Sequence, residues 1–390
     1  MRRELTQIAV PFHRAAIGEE EVQTVAEVIR SGWLTMGEKT LEFEREFAHY
    51  VGAKYAVAVS SCTAALHLSL DVAGIHNGDE VLVPTTTFTA TAQAVAHCGA
   101  RPVLVDVDPR SLNISVADAR RKINSRTKAV VPMHFGGQPC DMDEIDELAQ
   151  RNNLRVIEDA AHALPSSYRS TRIGTISELT AFSFYATKTL STGEGGMVTT
   201  SNREYAQRLQ RMRQHGIDRD AWRRRNTEAS WYYEVLDAGY KYNFTDLQAA
   251  LGVVQLRKCD SMWGARSRIA ERYNHAFGRS EALQIPEIIG DRTTSWHIYP
   301  LRLQPGYMRI NRDEFISQLN KTGVGTSVHF IPLHLHPYYQ QQYGYKTGDF
   351  PVAEAEYQRC LSLPIFPTMS DEEVDGVISA VVDLTIRFKR

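Results

Sequence analysis

Short apolar segments that favour β-strands alternate with helical segments between residues 55 and 200 of this chain. The apolar segments are short and rich in β-branched residues, which is typical of strands buried on both faces. Strands separated by helices form a mostly parallel sheet covered by helices on both sides. The sequence therefore predicts an α/β fold. The predicted strands are 56–59, 80–83, 102–105, 128–131, 155–157, 180–184 and 197–199.

The second half of the chain predicts a smaller domain. With 390 residues the chain exceeds the roughly 250–300 residues that a single core holds. A long helix is expected from Thr245 or Asp246 to about Arg266, where the pattern changes, so we expect a large domain at 1–265 and a small α/β domain at 266–390. The small domain is expected to contain strands at 297–303 and 324–330, and helices at 311–323 and 370–386 that begin with capping boxes.

The composition excludes several classes of protein. Forty-four basic residues nearly balance forty-six acidic ones, so broad attraction to nucleic acid or to anionic membranes is not expected. The five cysteines form no C-x-x-C pair, and we expect reduced thiols rather than disulfides or a zinc knuckle. No segment approaches the ~20 apolar residues of a membrane span, and the N-terminus lacks an export signal. A soluble, cytoplasmic protein is expected.

A lysine follows one of the predicted strands, at the end of the segment FSFYATK, which places it at Lys188. The next residues, TLSTGEGG, contain three glycines that allow close approach of the backbone. A lysine that loses its hydration in such surroundings becomes a nucleophilic amine. Composition alone favours a solvated lysine in a polar loop. Lys188 is therefore a candidate for covalent catalysis, and a second functional group nearby would support this assignment.

A carboxylate at another strand end supplies that support. Asp159 follows the predicted strand 155–157, and ligand sites of open α/β sheets lie at the C-terminal edge of the strands. Pyridoxal 5'-phosphate (PLP) forms a Schiff base with a lysine and needs a carboxylate that keeps its pyridine nitrogen protonated. Asp159 by itself is equally compatible with a helix N-cap. Its pairing with Lys188 favours a PLP enzyme.

A strand, a small polar turn and a helix start follow one another in residues 56–66, AVAVSSCTAAL. Free N–H groups and the helix dipole favour a phosphate at such a turn, with the Thr63 hydroxyl as a further donor. A simple capped helix explains the pattern equally well. The loop after the next strand contains Phe88, which either lies flat on a cofactor ring or belongs to the core.

These motifs, with others along the chain, resemble the DegT/StrS family of PLP-dependent nucleotide-sugar aminotransferases, which have the aspartate aminotransferase (fold type I) architecture. The resemblance runs nearly end to end. Its segments are GWLTMG (32–37), PTTTFTATA (84–92), EDAAH (158–162), the Lys188 segment, HGI (215–217), residues 239–252 and HFIPLH (329–334). The resemblance implies a large PLP-binding domain, a small C-terminal domain and a homodimer with shared active sites.

The resemblance gives the residues around the cofactor their expected roles. Lys188 is expected to form the Schiff base and to move protons, and Asp159 to bind the pyridine nitrogen. Phe88 is expected to stack on the ring. His162 is expected beside the 3-hydroxyl, where many family members have glutamine. The expected phosphate ligands are the backbone of Cys62 and Thr63, the Ser183 hydroxyl and, from the second subunit of the dimer, Asn243.

The resemblance also places three residues near the substrates. His329 lies at the end of a predicted strand of the small domain and His334 follows that strand, and Tyr185 stands where histidine is frequent in the family. A zinc site at His334 and His336 is the alternative, but no acidic or thiol partner lies nearby in the sequence. We therefore expect substrate contacts from these residues and no metal.

The resemblance implies transfer of an amino group from glutamate to a keto sugar attached to a nucleoside diphosphate. The segment GYKYNFT (239–245) resembles members that act at carbon 4 of the sugar, whereas members that act at carbon 3 tend to have G-Y-N-x-R. We therefore expect a 4-keto sugar substrate. A carbon-3 aminotransferase is the alternative within the family.

Other classes of protein fit the sequence less well. Related PLP-dependent sugar dehydratases have histidine where this chain has Lys188. A non-catalytic sensor with this fold would not need the complete set of lysine, aspartate and phosphate ligands. A nicotinamide-dependent sugar epimerase is unexpected because no G-x-G-x-x-G follows the first strand.

Overall fold

The computed structural model describes residues 9–218 and 231–390. Within these ranges no helix is both long and apolar enough to cross a membrane. The helices are α1 (Glu19–Ser31), α2 (Glu38–Val51), α3 (Cys62–Val72), α4 (Thr89–His97), α5 (Val116–Lys122), α6 (Met142–Asn152), α7 (Arg203–Met212), α8 (Asp246–Phe277), α9 (Arg312–Lys321), α10 (Pro337–Tyr343), α11 (Pro351–Arg359) and α12 (Asp371–Phe388). The strands are β1 (Tyr55–Val59), β2 (Glu80–Pro84), β3 (Arg101–Val105), β4 (Thr127–Val130), β5 (Arg155–Asp159), β6 (Ser167–Tyr168), β7 (Thr171–Arg172), β8 (Leu179–Ser183), β9 (Gly196–Thr200), β10 (Leu283–Gln284), β11 (Arg292–Thr293), β12 (Tyr299–Leu303) and β13 (Cys360–Leu363).

The main sheet has seven strands in the order β1-β9-β8-β5-β4-β2-β3. The predicted mostly parallel α/β sheet is confirmed, since only β9 runs antiparallel to its neighbours β1 and β8. The connection from β8 to β9 contains no helix, and antiparallel neighbours need no helical crossover. The C-terminal ends of β1, β5 and β8 therefore meet at one edge of the sheet.

The sheet is buried on both faces, because alternate residues of its strands pack into two different hydrophobic clusters, as β1 illustrates. Ala56 and Ala58 point into a core cluster with Phe43 of α2 and Ala249 of α8. Val57 and Val59 alternate with them and point into the opposite cluster, which includes the apolar residues of α3 and α4. Because both faces are covered, the strand is apolar throughout, as expected for a buried parallel sheet.

Helix α8 joins the two parts of the molecule. It begins where expected, after a capping box formed by Thr245 and Gln248, but continues past Arg266 to Phe277. Its first half packs into the large-domain core, whereas Ile269 and Tyr273 belong to the core of the C-terminal part. The boundary expected at 265/266 thus falls inside a continuous helix, which runs through Gly264 without interruption. Val10 also packs in the C-terminal core, so the N-terminal segment does not belong to the large domain alone.

The small domain contains a three-stranded sheet, β10-β12-β13, packed against α9 and α12. The strand expected at 324–330 is wrong. This segment makes only isolated bridges, from Val324 to Val10 and from Ser327 to Ser362. The strand beside β12, opposite β10, is β13, whose four residues follow α11 directly. Residues 329 and 330 therefore lie outside the small-domain sheet.

Candidate active site

A cavity of about 470 Å³ lies where β1, β5 and β8 end. Strands that run in the same direction bring their C-terminal ends to the same edge, which is where ligands bind in open α/β sheets. Nine of the residues expected from the sequence line it. They are Cys62, Thr63, Phe88, Asp159, His162, Ser183, Tyr185, Lys188 and His329.

Lys188 lies in the β8–β9 connection with its side chain in the cavity. Burial lowers the pKa of its ammonium from the ordinary value to about 8, although the acidic groups of Cys62 and Asp159 oppose this shift. At neutral pH a fraction of the side chain is therefore the free amine. A neutral amine in a dry pocket can act as a nucleophile and as a base.

Asp159 ends β5 and is buried. Its Oδ2 accepts a hydrogen bond from Thr91 Oγ1 at 2.7 Å, and its Oδ1 accepts one from the Ala161 amide at 3.1 Å. Burial raises the pKa of the carboxyl, and these hydrogen bonds and the Lys188 charge act against that rise. Residues 160–163 form a turn rather than an α-helix, so the alternative role as a helix N-cap is wrong.

The turn after β1 has the features of a phosphate site. Ser61 is the N-cap of α3 and accepts a hydrogen bond from the Ala64 amide, so Cys62 and Thr63 form the first turn of the helix. Gly196 packs directly on this turn: a Cβ there would lie 2.5 Å from the Ser61 carbonyl carbon. Only glycine permits this approach, which places the start of β9 under the helix N-terminus.

Three imidazoles line the cavity, and one of them was not expected. His162 and His297 have ring centroids 4.2 Å apart, and each has a buried Nδ1 without a hydrogen-bond partner. His329 Nδ1 lies 2.9 Å from Ser362 Oγ. Burial lowers the pKa of His162 and His297 well below the ordinary value, and that of His329 to about 4. All three rings are therefore neutral. His297 precedes β12, away from every motif, and no local signal in the sequence identifies it.

Two large apolar side chains are exposed at the cavity. Phe88, just before α4, is 59% exposed, and Tyr185, next to the β8 end, is 47% exposed. The Phe330 ring lies beside the Phe88 ring in the cavity lining, with ring centroids 6.1 Å apart. Phe88 is therefore not a core aromatic, since its ring is left open to a ligand.

Two expected site residues do not line the cavity. His334 is buried, with Nδ1 2.8 Å from Thr85 Oγ1 and Nε2 2.9 Å from Glu354 Oε1. Because both ring nitrogens are engaged and the ring is inaccessible, the expected substrate contact of His334 is wrong. Asn243 pairs with Val59 through its backbone, and its side-chain amide donates to the Phe244 carbonyl at 3.2 Å. Its expected role across a dimer stays a prediction.

The chemistry of these residues fits PLP. The pyridine nitrogen needs a carboxylate, the aldehyde an uncharged amine, and the phosphate a helix N-terminus. Asp159, Lys188 and the start of α3 supply these groups around one cavity. The exposed Phe88 ring and the unpartnered Nδ1 of His162 are suited to the aromatic ring and its polar substituents. The volume of the cavity lies in the range of small-molecule sites.

A lysine and an aspartate at strand ends of this fold define a PLP-dependent enzyme of fold type I. The chain belongs to the DegT/DnrJ/EryC1/StrS aminotransferase family, whose sequence model matches residues 15–382. It is a PLP-dependent sugar aminotransferase, with an amino donor and a sugar as its substrates.

Known proteins resemble the chain over nearly its whole length. An uncharacterized protein of Methanocaldococcus jannaschii is 50% identical over 372 residues, 95% of this chain and 96% of that protein. The spore coat polysaccharide biosynthesis protein SpsC of Bacillus subtilis is 50% identical over 376 residues, 96% and 97% of the two chains. The PLP form of Spr1654 from Streptococcus pneumoniae, proposed to be a sugar aminotransferase, superposes with a TM-score of 0.91 at 31% identity, covering 97% and 99% of the two chains.

Proposed function

We propose that this enzyme transfers the amino group of glutamate to the carbon-4 keto group of a sugar attached to a nucleoside diphosphate. The observation that carries the choice of carbon 4 is the segment GYKYNFT at 239–245, which resembles the carbon-4 members of the family. The relationship to SpsC, which is named for polysaccharide biosynthesis, supports a role in making amino sugars.

This segment lies next to the proposed binding site for the phosphate of the cofactor. The Ser60 amide donates to the Tyr242 carbonyl at 2.8 Å, so the segment lies beside the turn that precedes α3. Tyr240 and Tyr242 stack at 5.1 Å with their rings nearly parallel, and both pack on His67 of α3. A change in this segment would therefore alter the surroundings of the proposed phosphate site.

The residues of the cavity divide the work of the reaction. Bound PLP supplies an electron-accepting ring that stabilises negative charge on the substrate carbon. Lys188 can take a proton on Nζ and return it, because its lowered pKa leaves part of it as the free amine. Asp159, whose carboxylate is fixed by hydrogen bonds from Thr91 and Ala161, would stabilise a positive charge on the pyridine nitrogen. The neutral rings of His162, His297 and His329 offer hydrogen bonds without adding charge.

The substrate assignment is tested with the PLP-loaded protein, glutamate and a matched panel of nucleotide-linked 4-keto and 3-keto sugars. We expect 2-oxoglutarate and an aminated sugar from the 4-keto compounds, with NMR placing the nitrogen on carbon 4. Amination of the 3-keto sugars alone would favour the carbon-3 alternative. A protein that binds the sugars but forms no 2-oxoglutarate would instead be a sensor.

We also propose that the enzyme is a homodimer whose active sites are shared, with Asn243 reaching the phosphate of the neighbouring subunit. Exposed apolar side chains on one side of α1 support a second copy, since adjoining exposed apolar residues often mark an interface. Val22 and Ile29, seven residues apart on this helix, are 53% and 59% exposed.

Mixed dimers test the sharing of sites. We expect Lys188→Ala and Asn243→Asp to be inactive alone, because the second change sets a carboxylate against the phosphate. If Asn243 acts across the dimer, each mixed dimer combines both defects in one site and leaves the other native. Half of the randomly reassociated dimers are mixed, so activity should recover to about a quarter of the native level. No recovery after demonstrated subunit exchange would contradict the shared site.

A further inference from the structure

One segment of the chain leaves the small domain and returns to it. After His329 and Phe330, which line the cavity, residues 333–353 pack onto the outer face of the large domain before β13 re-enters the small domain. Leu333, Tyr339, Phe350 and Ala353 belong to the same hydrophobic cluster as Val81 and Val83 of β2. We call residues 333–353 the return segment.

His334 of the return segment is held between two other parts of the chain. Its Nε2 lies 2.9 Å from Glu354 Oε1, and its Nδ1 lies 2.8 Å from Thr85 Oγ1. A carboxylate beside Nε2 keeps a hydrogen on that nitrogen, and burial lowers the pKa of the ring, so the ring is neutral. Nδ1 is then an acceptor, and the Thr85 hydroxyl must donate to it.

Thr85 begins the loop that carries two groups of the active site. The Leu333 amide donates to the Thr85 carbonyl at 2.8 Å. Leu333 and His334 therefore both hydrogen-bond to Thr85. Three residues later the loop presents Phe88 to the cavity. Thr91 Oγ1, 2.7 Å from Thr87 Oγ1, hydrogen-bonds to Asp159 Oδ2. Residues 85–91, which comprise the loop 85–88 and the first residues of α4 and are called the active-site loop below, thus connect His334 with Phe88 and, through Thr91, with Asp159.

The far end of the active-site loop is held by the same segment. The Tyr339 hydroxyl lies 2.8 Å from Thr89 Oγ1, next to Phe88. The exposed Phe88 ring is therefore flanked by two anchor points, one at Thr85 and one at Thr89. No other role in the reaction explains His334, because the ring is buried and does not line the cavity.

We propose that His334 is a positioning residue, which acts through Thr85 to set where Phe88 and Asp159 meet the cofactor. The proposal rests on the roles proposed for Phe88 and Asp159 at the cofactor ring. Removal of the Thr85 hydroxyl leaves the buried Nδ1 of His334 without a donor, which is costly, so the return segment shifts and moves the loop that it anchors. Displacements well below the size of an atom are enough to weaken precisely placed contacts to a ring.

Thr85→Val tests the proposal without a large change of volume, and the chain provides matched controls. Thr85→Ser keeps the hydroxyl. Thr86→Val removes a neighbouring buried hydroxyl that has no hydrogen-bond partner. We expect Thr85→Val to raise the Kd for PLP about tenfold and to shift the visible absorption band of the bound cofactor. The two controls should keep the native band and a Kd within about twofold of native.

A second variant links the effect to the imidazole. His334→Leu removes the same hydrogen bond from the other side, and Glu354 keeps its hydrogen bond from the Gly348 amide. It should change the Kd and the absorption band as Thr85→Val does, and the double variant should add no further change because both substitutions remove one interaction. Thermal unfolding of each apoprotein shows whether the variants are folded at the temperature of the binding measurement.

The proposal fails if folded Thr85→Val binds PLP with the native Kd and band, or if Thr86→Val changes them equally. It also fails if the effects of Thr85→Val and His334→Leu add in full. These measurements use no sugar, so they are independent of the substrate assignment. Failure of the proposed function would instead appear as native protein that binds PLP normally but aminates no nucleotide-linked keto sugar.

Discussion

Replacement of Lys188 by alanine is expected to slow amino transfer by about 10⁴-fold, near the upper limit for loss of a general acid–base group. In the proposed mechanism this side chain supplies the amine that holds the cofactor and the atom that takes up the proton. Among the residues that the structure describes, Lys188 is the only lysine that lines this cavity. The three imidazoles are weak bases because of their strongly lowered pKa values, and Asp159 is engaged by Thr91 and Ala161.

The covalent attachment can be measured separately from the rate. Borohydride reduction of the yellow, PLP-loaded protein should abolish the visible band and add the mass of the reduced cofactor to the peptide that contains Lys188. Lys128→Ala, which removes an exposed lysine on β4, serves as the matched control and should be labelled and active like the native protein. An adduct on another lysine, or a colourless protein after soaking in PLP, would contradict the assignment.

The parts of the site that the sequence predicted share a physical cause. Parallel strands end at one edge of the sheet, so residues just beyond β1, β5 and β8 must come together wherever they are in the chain. This rule brings Cys62, Asp159 and Lys188 into one cavity. It requires only that the strands and their directions are identified, and buried parallel strands have a strong apolar pattern.

The parts that sequence patterns missed depend on distant contacts. His334 and Thr85 are 249 residues apart in the chain, and only the fold shows that the Thr85 hydroxyl and His334 Nδ1 form a hydrogen bond. His297 reaches the cavity because the chain turns just before β12, at a position without any motif. The pattern at 324–330 resembles a strand, yet β13 pairs with β12 instead. Local propensity does not decide such a competition between segments.

Asp159→Asn is expected to leave PLP bound but to slow both half-reactions by about 10²–10³-fold, comparable with the loss of one preorganised electrostatic group in other enzymes. An amide keeps the size of the side chain, and its oxygen can still accept from the Ala161 amide. It carries no negative charge, so it cannot hold a proton on the pyridine nitrogen as a carboxylate does. The effect should therefore fall on the rate of the chemical step more than on the affinity for the cofactor.

Single-turnover measurements with glutamate, and then with the keto sugar, follow the two half-reactions through the absorption of the cofactor. Asp143→Asn is the matched control, because Asp143 lies at the start of α6 and forms an exposed ion pair with Arg169. Both half-reactions should slow together in Asp159→Asn, since both depend on the same protonated ring, whereas the control should react at the native rate. If only one half-reaction slows, Asp159 acts on a substrate rather than on the cofactor. If neither slows, the carboxylate only fixes the turn at residues 160–163, and the pyridine nitrogen has another partner.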